Sequence, residues 1–162
     1  AIAVAELVAA GGCHNAARDL AERDARDRAR LAAVVDADQV LDRAFKAADD
    51  ASRAGQDAKA ADLLEGEVVH AAADAIAEAE REPLESAWAK ARRDALVRVL
   101  RDRQASIAPY AQATRGEDLE AKLAAVQTQI ELQKRALAAA ARALSPPGDD
   151  ATEIGAGSAD SG

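Results

Sequence analysis

In the stretch "LEAKLAAVQTQIELQKRALAAAARAL", Leu119, Leu123, Val126, Ile130, Gln133, Leu137, Ala140 and Leu144 alternate spacings of four and three. Residues so spaced share one side of an α-helix and no common face of a strand, where side chains alternate with a period of two. The register holds for more than three heptads with one polar member, Gln133. Pro146 and Pro147 end it, because proline lacks the N–H that would continue the helix. An apolar stripe of this kind needs a second helix to cover it, from this chain or another. The stripe is therefore expected to be the chief packing or partner surface.

The remaining apolar residues point the same way. Of the 162 residues, 47 are alanine, and Phe45, Trp88 and Tyr110 are the only aromatics. A globular core normally relies on large aliphatic and aromatic side chains. Alanine instead has the highest helix propensity and lets helix axes approach closely. The expectation is an all-α chain of long helices with thin cores. A net charge of -8 disfavours nucleic acid and anionic surfaces as partners. One cysteine excludes an internal disulfide framework and a CxxC site. No run reaches the roughly 18 apolar residues of a membrane-spanning helix.

Along the chain, residues 15 to 30 ("NAARDLAERDARDRAR") are dense in charge, with acid-first i,i+4 pairs at Asp19–Arg23, Glu22–Arg26 and Asp24–Arg28. Each such pair stabilises a helix by about 0.3–0.5 kcal/mol. Leu31, Val34, Leu41, Phe45 and Ala48 then mark one face, interrupted by Asp38, and Gly55 suits a C-terminal cap. These signals predict a first helix over 15–54. A second begins at Asp57 and carries Leu63, Leu64, Val68, Ala71, Ala75 and Ala79. Pro83 has no cluster of turn residues ahead of it, so it is read as a kink within this helix rather than a reversal. Leu84, Trp88, Ala91, Ala95, Leu96, Val99 and Leu100 continue the stripe, with Trp88 filling an alanine-rich seam. The reversal is placed in "SIAPYAQATRGED", between Pro109 and Gly116, with Thr114 and Glu117 at capping-box spacing.

The resulting expectation is an elongated antiparallel three-helix coiled-coil-like bundle, its middle helix kinked near Pro83. The helices would be ~60, ~75 and ~40 Å long at 1.5 Å per residue. The bundle spans 31–144. Residues 145 to 162 ("SPPGDDATEIGAGSADSG") carry four acids, no base and four glycines. They read as a disordered acidic tail, with too little apolar surface to offset the entropy of ordering.

At the other end, "AIAVAELVAAGGC" is an apolar run closing on small residues directly before the unique cysteine. It resembles the lipobox of bacterial lipoproteins, in which a signal peptidase cleaves before the cysteine and that cysteine becomes the lipidated N-terminus. Ala10, Gly11, Gly12 and Cys13 match the lipobox positions, with alanine standing where leucine is usual. The resemblance implies that residues 1–12 are a signal-peptide remnant, with the chain's start upstream of Ala1. It also implies that Cys13 is lipidated and that residues 13–30 form a charged tether into the helices. It implies a periplasm-facing protein of a bacterial cell envelope, anchored in the membrane through Cys13. By the same resemblance, His14 after the cysteine rather than aspartate points to the outer membrane.

Other candidates carry less chemistry. Glu67 and His70 have ExxH spacing, but a di-iron bundle needs a second copy and further glutamates, so no metal site is expected. Residues 90 to 103 ("KARRDALVRVLRDR") hold six bases in an acidic protein. Lys90, Arg92, Arg93, Arg98, Arg101 and Arg103 form a candidate basic face for an acidic partner. No glycine-rich phosphate loop, GxSxG or HExxH is present, and neither an enzyme nor a cofactor is expected. The functional expectation is a lipid-anchored scaffold, spacer or adaptor that works through coiled-coil contacts and self-association. A soluble helical binding module or export-chaperone-like adaptor is the alternative.

Overall fold

The structure, a computed structural model, describes residues 7–81 and 83–147, with the side chains of 7–14 outside the description. The chain is all-helical, and no strand occurs among the described residues. Helix α1 spans Leu7–Arg53 and α2 spans Asp57–Leu63. One π-helical turn, Leu64–Val68, carries the chain without a break into α3, Val69–Arg81. Helix α4 spans Ala87–Arg115 and α5 spans Leu119–Leu144.

Gly55 ends α1 as its sequence position suggests. It takes a φ of 74°, which costs glycine little because it has no Cβ. The N–H of Gln56 donates to the Ala51 carbonyl and that of Gly55 to Ser52, a Schellman cap. The returning helical limb of this hairpin, α2 through α3, packs small side chains inward: Ala60, Ala61, Ala71, Ala72, Ala75 and Ala79 are buried with Leu64 and Val68. Opposite them lie Leu31, Val34, Leu41, Phe45 and Ala48 of α1, also buried.

Pro83 belongs to a reversal, which corrects the expected kink and the three-helix count. The Glu65–Arg115 and Glu80–Arg101 ion pairs run in opposite numerical order, so α4 is antiparallel to α2 and α3. Four long helical segments result among the described residues, in up-down-up-down order. The turn is held from outside the local sequence. Asp27 of α1 accepts from the backbone N–H of Glu85 (3.0 Å), and from the N–H (2.7 Å) and hydroxyl (2.5 Å) of Ser86. Arg30 donates to the Pro83 carbonyl and Arg26 to the Glu85 carboxylate. A remote carboxylate therefore does the work that local turn residues would do.

The second reversal falls at Gly116–Asp118, later than expected, and Pro109 lies inside α4. Pro109 is exposed, while Tyr110, Ala111 and Thr114 beyond it are buried, so packing carries the helix past the missing hydrogen bond. Thr114 donates to the Tyr110 carbonyl, and Asp118 caps α5 by accepting from Glu120 and Ala121.

Helices α1 and α4 run parallel, linked at Asp24–Trp88, Asp38–Arg103 and Asp49–Tyr110. Helix α5 runs antiparallel to α4 through Ser106–Gln129, Asp102–Arg135 and Arg92–Ser145. Residues 15–22 of α1 are exposed and precede the level of Trp88, so among the described residues α1 projects from the bundle as a single arm. Within it, Glu22 pairs with Arg18 and Arg26 with Glu85. Asp24 accepts from Trp88, so the expected acid-first ladder is partly spent on the bundle. The tail from residue 148 onward lies outside the described residues.

Candidate functional site

The large residues of the most regular apolar stripe in the sequence stay largely exposed, while its Ala140 packs partly buried against the core. Leu119, Leu123, Val126, Ile130, Leu137 and Leu144 are between 40% and 69% exposed. They make up six of the nine exposed large hydrophobic residues among the described part of the chain. Helix α5 docks instead through Leu132, Ala136 and Ala143, which are buried and lie on a different side of the helical wheel. With small residues at two of these three positions, α5 sits close against α4 and its large side chains remain outside. A stripe of this length is unlike the scattered apolar exposure of ordinary surfaces.

One flank of the stripe opens on a groove of about 400 Å³, lined by Phe45, Arg103, Tyr110, Val126, Ile130 and Gln133 among others. The groove floor is tied together by polar contacts. Arg103, 2% exposed, donates to Asp38 and Asp42 and lies over the Phe45 ring at 5.1 Å. Burial pushes the Asp38 carboxyl up, and Asp42 adds to this, while Arg103 opposes both. The Tyr110 hydroxyl donates to Asp49 at 2.5 Å. Burial, then the Asp49 carboxylate, raise its pKa, so it remains a neutral donor. These groups satisfy one another across α1 and α4. They shape one wall of the groove and leave the apolar stripe as its reactive feature.

The other sequence candidates are dispersed. The six bases of 90–103 do not form one face, because a 29-residue helix turns them to different neighbours. Arg92 is buried, donating to the Ser145 and Pro146 carbonyls and stacking on Trp88 at 5.0 Å. Arg103 is the internal partner of α1. Arg93 pairs with Asp94, Arg101 pairs with Glu80, and Arg98 donates to the Asp94 carbonyl; Lys90 is exposed. Glu67 and His70 are both exposed, at the π turn and the start of α3. Among the described residues, no group of three or more His, Cys, Asp or Glu is placed to hold a metal ion. Ala10, Gly11, Gly12 and Cys13 fall in the first turns of α1, their side chains outside the described residues. No helix among the described residues is long and apolar enough to cross a membrane.

Sequence reasoning missed Asp27 altogether. It reads as one more charge in a charged stretch, and only its separation of four from Leu31 places it on the buried face. Comparison with protein-family models, curated proteins and solved structures returns no match, so the exposed face of α5 carries the functional argument.

Proposed function

We propose that this protein is a helical scaffold or adaptor, anchored in a bacterial envelope membrane through Cys13, that docks a helical partner along α5. The carrying observation is the exposed stripe from Leu119 to Leu144. Leaving about half of each of these six aliphatics in water forgoes a corresponding share of the ~1.5–3 kcal/mol that full burial of such a side chain is worth. A partner helix with apolar residues at the same spacing recovers that energy.

Two features support the anchored reading. "VAAGGC" places small residues directly before the unique cysteine. The arm of α1 that follows is exposed and charged at 15–22, which suits a spacer between the anchored cysteine and the folded bundle. Each buried acyl CH₂ contributes about 0.8 kcal/mol, and stable anchoring takes more than one chain.

Two measurements test the reading. Mass spectrometry of membrane-extracted protein should show an acylated N-terminal Cys13; an unmodified chain running upstream of Cys13 removes the anchor. A photo-crosslinking side chain at Leu137 should capture a protein in the envelope, and the same probe at exposed Glu67 should not. No capture at Leu137 removes the docking role.

A further inference from the structure

The geometry points to a second copy of this chain as the occupant of the α5 face, paired antiparallel about a two-fold axis between Ile130 and Gln133. This inference rests on the docking role proposed above and names its partner.

The stripe is complementary to itself in one register. Antiparallel pairing sets Leu119 against the partner's Leu144 and Leu123 against the partner's Ala140. It also sets Val126 against the partner's Leu137 and Ile130 against the partner's Gln133. Every stripe residue from 119 to 144 then has a counterpart, none overhangs, and small or polar members each meet a large aliphatic. A parallel pair does worse on the same residues. It would stack Ala140 on Ala140, leaving a gap, and Gln133 on Gln133 in an apolar seam.

Charge selects the same orientation. The start of α5 carries Glu117, Asp118 and Glu120 with one base, Lys122, already paired to Asp57. Its later half carries Lys134, Arg135 and Arg142 and no acid; Lys134 pairs with Glu131 at mid-helix and Arg135 with Asp102 of α4. Antiparallel copies lay the acidic start of one along the basic end of the other, with Glu120 level with Arg142. Parallel copies bring like charges together, and like charges across an interface cost stability and suppress that pairing. Opposed helix dipoles add to the preference. An isologous contact of this kind closes on itself as a dimer.

The test uses the chain of residues 1–162 with Cys13→Ser, so that an introduced thiol is the only one. By sedimentation equilibrium at micromolar concentration the chain should be a dimer. Ile130→Asp and Leu137→Asp should each weaken it at least tenfold without changing helix content by circular dichroism, since both side chains are exposed in the bundle. For the register, Val126→Cys and Leu137→Cys are made in separate chains. Mixed and mildly oxidised, they should form the 126–137 hetero-disulfide, while either chain oxidised alone should stay uncrosslinked. Homo-disulfides in the single chains overturn the antiparallel register. A monomer throughout overturns the second copy; capture of a different protein at Leu137 in the envelope then leaves the docking role standing, and no capture removes both.

Discussion

Asp27 shows how much of this fold depends on single buried polar groups. Its carboxylate is fully buried and accepts three hydrogen bonds from Glu85 and Ser86 on the far side of a reversal. Burial pushes its pKa up, but the Ser86 and Glu85 donors and Arg30 outweigh that and leave it below the ordinary carboxylate range. Truncation to alanine leaves these donors without their acceptor, at a cost of about 1.5–3 kcal/mol. Thermal unfolding of Asp27→Ala should show this as a drop of about 2–4 °C per kcal/mol for a chain of this length. The sign of the pH dependence follows from the depressed value. The carboxylate's contribution is complete above the unfolded value of about 3.9 and is lost as pH falls through the lower folded value. Asp27→Asn keeps an acceptor but cannot titrate, so its stability should fall less steeply than that of the unsubstituted chain below about pH 4. Equal acid limbs for the two proteins would refute the role given to Asp27.

At the scale of the element, helix type was legible and helix ends were less so. The faces at Leu31–Ala48 and Leu64–Ala79 are visible in the spacing and are buried as that spacing implies. Gly55 marks its turn because the conformation there requires glycine. The two prolines mislead in opposite directions for physical reasons. Pro83 makes a reversal whose hydrogen bonds come from Asp27 and Arg30, more than fifty residues away, so no local turn signal is needed. Pro109 lies within α4 on its exposed side, where tertiary packing of Tyr110 and Ala111 outweighs local propensity. Proline in a helix interior costs about 3 kcal/mol relative to alanine. Pro109→Ala should therefore stabilise the protein, by up to about 3 kcal/mol, with unchanged helix boundaries. Chemical denaturation measures this directly, and a loss of stability would mean that Pro109 is needed for the path of α4. The α5 stripe was the plainest signal in the sequence, yet periodicity reports only that residues share a side. Which side meets the bundle was decided by Leu132, Ala136 and Ala143, where the two alanines permit the closer approach.

At the scale of the molecule, pairing through α5 fixes where the arms go. Phe45 and Gln129 line the same groove, so the middle of α5, and with it the two-fold axis, lies close to the level of Phe45. Helix α1 runs from there back to Leu7, about 55 Å at 1.5 Å per residue. Antiparallel copies send their two arms out of opposite ends, giving a particle of about 110 Å along this axis, against about 70 Å for α1 alone. A parallel dimer would double the mass without adding this length. Small-angle scattering of the Cys13→Ser chain and of its Leu137→Asp variant should therefore differ by roughly 40 Å in maximum dimension. Equal dimensions at doubled mass would rule out the antiparallel arrangement. The same geometry bears on the anchor. With an acylated Cys13 on each arm, the pair would carry its membrane attachments at opposite ends, about as far apart as the particle is long. Two attachments so placed hold the bundle along a membrane surface rather than standing off it. That would make the charged arm of α1 a lateral spacer.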